Sequence, residues 1–273
     1  MKNKIYDCIT FFDESLQANL RFNILNNYVE QFIICESKFD HKGHYKGVKF
    51  NIENYKEFKN KIIHLVIEEQ FPDTSNPWKT QAFQREFIFN GLNNANPEDY
   101  IMFSDPDEIP RPETLASLKL NKKYGIFLQK MFCYKINVYN PHESPWEGSR
   151  ICLKKNLKSI DFLRQKILKK NVNYPFWRID KEKNIQLIDE GGWHFNYLLE
   201  PEKISKKLKT FAHIEYSKDK FTKIDVIENN IREMRDLFDR GNKYYRVELD
   251  STFPSYILNN QDKFSKWIDQ QRF

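Results

Sequence analysis

The first 104 residues alternate between strand-like and helix-like segments, and that alternation leaves few folds open. Ile5 to Phe12 is an apolar run of strand length that ends in Asp13-Glu14. Ser15 to Tyr28 carries Leu16, Leu20, Ile24 and Tyr28 on one helical stripe. Gln31 to Cys35 reads as a short buried strand followed by Glu36-Ser37. Lys38 to Gly47 is polar and holds glycine and histidine, so it reads as a loop. Ile52 to Phe58 predicts a short helix, and Lys61 to Ile67 a third strand. Asn76-Pro77 opens a helix through about Leu92, because proline suits the first helical position. Tyr100 to Ser104 is the fourth strand. This βαβαβαβ order predicts an α/β fold with a mainly parallel sheet and helices on both faces.

Ligands of such sheets bind outside the carboxyl ends of the strands. Three segments end there in acid-bearing turns: Asp13-Glu14, Glu36-Ser37 and Asp105-Pro106-Asp107-Glu108. In the last, two carboxylates stand one residue apart. Residues i and i+2 of an extended segment point the same way, and Pro106 keeps Asp105 out of helical geometry. Paired carboxylates suit Mg²⁺ or Mn²⁺ that carries substrate phosphates. A solvated acidic turn is the plain alternative.

The second half is less regular. Gly125 to Tyr139 reads as one long or two short aromatic strands, with Ser149 to Leu153 as a partner. Ile185 to Ile188 is a short strand, Pro201 to Phe211 a helix with lysines near its end, and Thr222 to Asp239 a further helix. No repeat or linker interrupts the chain. We expect one domain over residues 1–273, with a ligand-binding half at 1–110 and an acceptor-side half at 111–273.

Other residues carry possible chemistry. Asp189-Glu190-Gly191-Gly192-Trp193-His194 places two of only eight glycines together. Paired glycines allow close approach of the backbone to a ligand, and His194 offers a nitrogen to a metal; a plain turn with a structural histidine is the alternative. Arg85 lies on the apolar stripe of its helix and needs an anion or a carboxylate. It either braces the Asp105/Asp107 turn, binds a phosphate or forms a structural ion pair. Lys206, Lys207 and Lys209 either neutralise a pyrophosphate or face solvent. Trp146, Trp177 and Trp193 either stack on sugars or pack in the fold.

The net charge is +6, from 44 basic and 38 acidic residues, too mild to single out nucleic acid as a partner. No apolar stretch reaches the length of a membrane span, and neither a signal peptide nor an Asn-x-Ser/Thr sequon is visible. Cys8, Cys35, Cys133 and Cys152 lack zinc-site spacing and read as buried thiols, with a Cys133–Cys152 bridge as the alternative. A cytoplasmic, reducing location is expected. The P-loop, dinucleotide, serine-hydrolase and zincin signatures are all missing.

Four segments occur in one order: Phe11-Phe12-Asp13-Glu14, Ile34-Cys35-Glu36-Ser37, Ser104-Asp105-Pro106-Asp107-Glu108-Ile109-Pro110 and Gly192-Trp193-His194. Together with Pro254-Ser255-Tyr256-Ile257-Leu258, they make the chain resemble glycosyltransferase family 17, the family of the β-1,4-mannosyl-glycoprotein 4-β-N-acetylglucosaminyltransferases. The resemblance implies a GT-A type fold and an inverting, metal-dependent transfer of a sugar from UDP-N-acetylglucosamine to a glycan hydroxyl. Asp105 and Asp107 become ligands of Mn²⁺ or Mg²⁺ and the diphosphate, with His194 as a third ligand. Phe11, Asp13 and Glu36 fall near the base and ribose. Glu190 and Asp189 are the first choices for the general base, followed by Glu108 and Glu215. The chain shows no membrane anchor or stem of the animal enzymes, so a surface glycan built from the cytosolic side is the expected product. A nucleotidyltransferase acting on a sugar phosphate and a non-catalytic glycan-binding relative are the rival readings.

Overall fold

The computed structural model describes residues 3–210 and 218–270. The first half contains β1 (Ile5–Phe11), α1 (Ser15–Leu25), β2 (Gln31–Ser37), β3 (Ile62–Ile67), α2 (Pro77–Phe87) and β4 (Tyr100–Ser104). β1 pairs in parallel with β2 and with β4, and β2 pairs in parallel with β3. The predicted alternation is therefore the observed one. Side chains leave these strands on alternate faces. Ile5, Ile9 and Phe11 enter one apolar core, and Tyr6 and Cys8 enter the other on the opposite face.

Helix ends follow local chemistry. The Asn76 side chain accepts from the Trp78 N–H and Pro77 takes the first turn, so α2 begins where the sequence predicts. α2 stops at Phe87 and continues as a tight 3₁₀ turn over Ile88–Gly91. α1 stops at Leu25, leaving Tyr28 in the turn beyond it. Ile52–Lys61 forms 3₁₀ turns with a break at Tyr55.

The remaining elements are β5 (Glu108–Pro110), α3 (Pro112–Ala116), β6 (Tyr124–Cys133), β7 (Val138–Tyr139), β8 (Trp146–Leu153), α4 (Ile160–Lys166), β9 (Ile185–Ile188), β10 (Gly192–Asn196), α5 (Pro201–Thr210), α6 (Asp219–Thr222), α7 (Ile224–Arg232) and β11 (Tyr245–Arg246). β8 lies antiparallel between β4 and β6, so strands of both halves share one eleven-stranded sheet among the described residues. β10 joins β5 antiparallel and β6 in parallel. The single helix expected over Thr222 to Asp239 is instead α6, α7 and a turn. The chain breaks at Lys223, and Asp236 draws the N–H groups of Phe238 and Arg240 into a non-helical loop. Phe211, expected at the end of α5, lies outside the described residues.

All four cysteines are buried free thiols, so β6 and β8 carry no Cys133–Cys152 bridge. Burial pushes Cys35 and Cys152 up to about 12, which leaves them protonated and unreactive. The architecture is α/β with a mainly parallel first half and a less regular second half, the arrangement expected of a GT-A type fold.

Candidate active site

β1 has β2 on one side and β4 on the other, so the chain reverses its direction of winding there. Open α/β sheets bind ligands at such a reversal. A cavity of about 820 Å³ opens at this point. Phe11 and Phe12 at the end of β1 and Asp105, Pro106 and Asp107 after β4 form part of its wall.

The turn after β4 is held by two arginines, Arg21 buried and Arg164 partly buried. Arg21 on α1 grips Asp7 of β1 through two hydrogen bonds of 2.5 and 2.6 Å, and also donates to Ser104 Oγ and the Glu108 carbonyl. Arg164 on α4 pairs with both Asp105 and Glu108. Glu108 is fully buried and engaged on both oxygens. It accepts from Arg164, from the Trp146 indole at 2.7 Å and from the Asp105 N–H at 3.1 Å. A buried carboxylate with this many donors organises the turn and has no oxygen left for a substrate proton.

Asp107 has different partners. β10 sets His194 opposite Glu108 in the β5 ladder, which brings His194 Nε2 to 3.4 Å from Asp107 Oδ1. Lys207 Nζ on α5 approaches Asp107 Oδ2 at 3.7 Å and Glu14 Oε1 at 3.8 Å. Burial works against the charge of Asp107, but His194 and Lys207 hold its carboxyl well below the usual range. Burial likewise opposes charge on His194 and Lys207, yet the neighbouring carboxylates raise both. The Trp146 ring lies against His194, with centroids 5.0 Å apart. His194 Nδ1 is buried without a hydrogen-bond partner.

The other expected residues separate into groups. Phe11 lines the cavity. Arg85 also lines it, but its guanidinium pairs with Asp161 of α4 at 2.8 Å and leaves the bracing of Asp105 to Arg164. Asp13 sits in a small neighbouring recess, paired with Lys203 at 3.3 Å. Glu36 does not line the cavity. It is buried and pins the following loop, accepting from Lys46 Nζ and from the N–H groups of Lys49 and Phe50. Its link to the cavity runs through Lys46, which lies 5.1 Å over the Phe12 ring.

Glu190 and Asp189 do not line the cavity. Both are exposed, and Glu190 pairs with Arg111 and Lys130 ahead of β10. The double glycine serves a close approach of strands, not of a ligand. A Cβ on Gly192 would stand 2.2 Å from the Ile109 carbonyl oxygen, at a φ of +132°. Glu215 lies outside the described residues. Of Lys206, Lys207 and Lys209 on α5, Lys207 reaches the cavity. Trp146 lines the cavity, Trp193 is buried and Trp177 is exposed away from it.

Arg164 and Glu147 escaped the sequence reading. Arg164 belongs to a short helix whose role depends on its packing beside β4. A faint signal exists in Ser159, which caps α4 and starts a stripe of Ile160, Leu163 and Ile167 with charged neighbours. Glu147 begins β8 at the cavity wall. Its Oε2 accepts from the Lys169 N–H at 2.8 Å and lies 3.6 Å from Arg150.

Among the described residues no group of three histidine, cysteine, aspartate or glutamate side chains is gathered to hold a metal ion. A cation carried by phosphates needs only one or two protein carboxylates. Asp107 with His194, and Asp105 two positions before Asp107, supply oxygen and nitrogen donors of that kind, so the donor chemistry fits Mn²⁺ or Mg²⁺.

Carboxylates, an imidazole and an ammonium group thus meet at the reversal point of an α/β sheet. That arrangement has the charges and the position in the sheet at which α/β proteins bind charged small ligands. The chain belongs to glycosyltransferase family 17, whose model matches residues 1–266. It is 22% identical to the human β-1,4-mannosyl-glycoprotein 4-β-N-acetylglucosaminyltransferase over 92% of its own length and 52% of that protein. It is also 22% identical to the rat protein of the same name, over 96% and 54%. The chain therefore spans about half the length of these relatives. Among solved structures it is similar to S. aureus TarS 1-349, with a TM-score of 0.41 and 13% identity over 87% of this chain and 73% of that one. It is also similar to glucosyl-3-phosphoglycerate synthase from Mycobacterium tuberculosis, solved with Mn²⁺, UDP and glucosyl-3-phosphoglycerate. That match has a TM-score of 0.38 and 10% identity over 94% and 92%. At these levels the structural likenesses speak to neither ligand nor reaction. No described helix is long and apolar enough to cross a membrane.

Proposed function

We propose that the chain transfers a sugar, N-acetylglucosamine in the first instance, from a UDP-sugar to a hydroxyl of a glycan acceptor, with inversion. The observation that carries this reading is the cluster of Asp107, His194 and Lys207 at the sheet's reversal point in a member of a glycosyltransferase family.

In this reading the nucleotide lies along Phe11, Phe12 and Lys46, and the diphosphate reaches the turn after β4. Asp107 and His194, with Asp105 beside them, would hold Mn²⁺ or Mg²⁺. When bound, that ion supplies Lewis-acid neutralisation of charge on the diphosphate. Lys207 adds a fixed positive charge at the same oxygens. Arg164 keeps Asp105 from swinging away. The acceptor oxygen attacks the anomeric carbon, the bond to the β-phosphate oxygen breaks, and its electron pair leaves with UDP.

The acceptor's proton needs a carboxylate on the opposite side. Glu143, Glu147 and Asp236, contributed by the second half of the chain, line the cavity. Asp236 is gripped on both oxygens by Arg240, and both oxygens of Glu143 are taken, by Arg240 and by Asn140. The contacts of Glu147 fall on Oε2 alone. We therefore assign the general base to Glu147 in place of Glu190 or Asp189. The buried free thiols suit a reducing, cytosolic setting. A panel of nucleotide sugars, each with and without Mn²⁺, tests the reading. Selective stabilisation by one UDP-sugar supports it, and no response to any of them overturns it.

A further inference from the structure

We infer that the loop from Tyr174 to Lys183 docks the protein on an anionic lipid surface. Phe176, Trp177 and Ile179 are 85%, 65% and 92% exposed, three large apolar side chains within four positions. Val172, just before them, is 41% exposed. Soluble surfaces carry single exposed apolar residues without consequence, but a contiguous group marks a contact site.

The loop is built to present these side chains. The Arg178 N–H donates to the Pro175 carbonyl at 3.1 Å, and the Lys181 N–H donates to the Arg178 carbonyl at 3.1 Å. The Arg178 guanidinium holds Asp180 through two bonds of 2.8 and 2.9 Å and lies over the Tyr174 ring. Phe176 and Trp177 pack edge to face, with centroids 5.2 Å apart. An ordered turn thus leaves two rings and an isoleucine exposed, and none of the described residues covers them.

Charge selects the partner. Residues 169–183 contain Lys169, Lys170, Arg178, Lys181 and Lys183 against Asp180 and Glu182. Aromatic side chains seat at the headgroup level of a bilayer, and flanking lysines and arginines are drawn to anionic lipids. A neutral protein groove would gain nothing from the basic flank. Leu168 and Lys170 line the cavity wall, and the six steps from Lys170 to Phe176 span at most about 22 Å. Docking would therefore hold the rim of the cavity close to the bilayer. The inference does not depend on the transfer reaction.

The test is flotation of the whole chain with phosphatidylcholine vesicles, with and without phosphatidylglycerol, read alongside light scattering of the free protein. We expect binding to the phosphatidylglycerol vesicles that weakens with salt. Replacing Phe176, Trp177 and Ile179 together by serine should reduce binding about tenfold or more, and Lys170→Glu with Lys181→Glu should reduce it separately. All five side chains can change without loss of the folded state, which circular dichroism checks. The inference fails if the wild type does not bind, or if the triple variant binds equally well. It also fails if the triple variant only dissolves a self-associated form of a protein that ignores vesicles.

Discussion

His194 Nε2 lies 3.4 Å from Asp107 Oδ1, a contact made by a strand pairing late in the chain. β10 lies against β5, and the register that faces His194 with Glu108 determines which side chain reaches the carboxylate. The close passage of Gly192 past Ile109 sets that register. The site therefore depends on contacts between distant segments, and its supports can be tested separately from its chemistry.

Arg164 is one such support. Arg164→Ala would leave fully buried Glu108 without its cation and free Asp105 to move. Breaking a buried pair from one side costs about 3–5 kcal/mol. Urea unfolding should show a loss of that size. Arg164→Lys should recover only part of it, since one ammonium group lacks the fork that serves two carboxylates.

Glu147 and Glu190 separate two assignments of the base. Glu147→Gln should lower sugar transfer by about 10²–10⁴-fold, the usual contribution of a general base, with donor affinity unchanged. Glu190→Gln should transfer at the wild-type rate, because Glu190 is exposed and paired with Arg111 and Lys130 outside the cavity. UDP release in the presence of acceptor measures both.

Glu36 gives a dependence on pH. Burial works against its charge, but His64, the Phe50 N–H and Lys46 hold its carboxyl below the ordinary 4.5. A depressed carboxylate stabilises the fold above its unfolded-state value and loses that contribution as pH falls through its folded-state value. Wild-type stability should therefore decline as pH drops below 4.5. Glu36→Gln should be less stable at neutral pH by about 1–3 kcal/mol and show a shallower acid slope. Thermal unfolding at a series of pH values reads both effects.

Much of this was legible in the sequence, for identifiable reasons. The first half shows its strands and helices through periodicity and through the cap at Asn76-Pro77, both local signals. Asp105, Asp107 and His194 could be picked out because each stands in a distinctive short segment. Arg164 could not, because its role arises from packing of α4 beside β4. The lysines of α5 looked alike in sequence, and only the helix's rotation turns Lys207 inward. Glu190 was misplaced because two adjacent glycines suggest a ligand, whereas here they admit the backbone of β5. The helix expected over Thr222 to Asp239 is interrupted at Lys223 and ends at Arg232, where Met234 takes a φ of +50° and the Arg235 N–H turns back to the Asn230 carbonyl, geometry that short-range periodicity does not reveal.

The most direct measurement is the thermal stability of the wild type and of Asp107→Asn with UDP-N-acetylglucosamine and Mn²⁺. A ligand present at a hundred times its dissociation constant should raise the wild-type melting temperature by about 5 °C or more. The account predicts that rise only when both sugar nucleotide and metal are present, and predicts that Asp107→Asn loses it. An Asp107→Asn protein that responds like the wild type, or a wild type that responds to no UDP-sugar, would contradict the account.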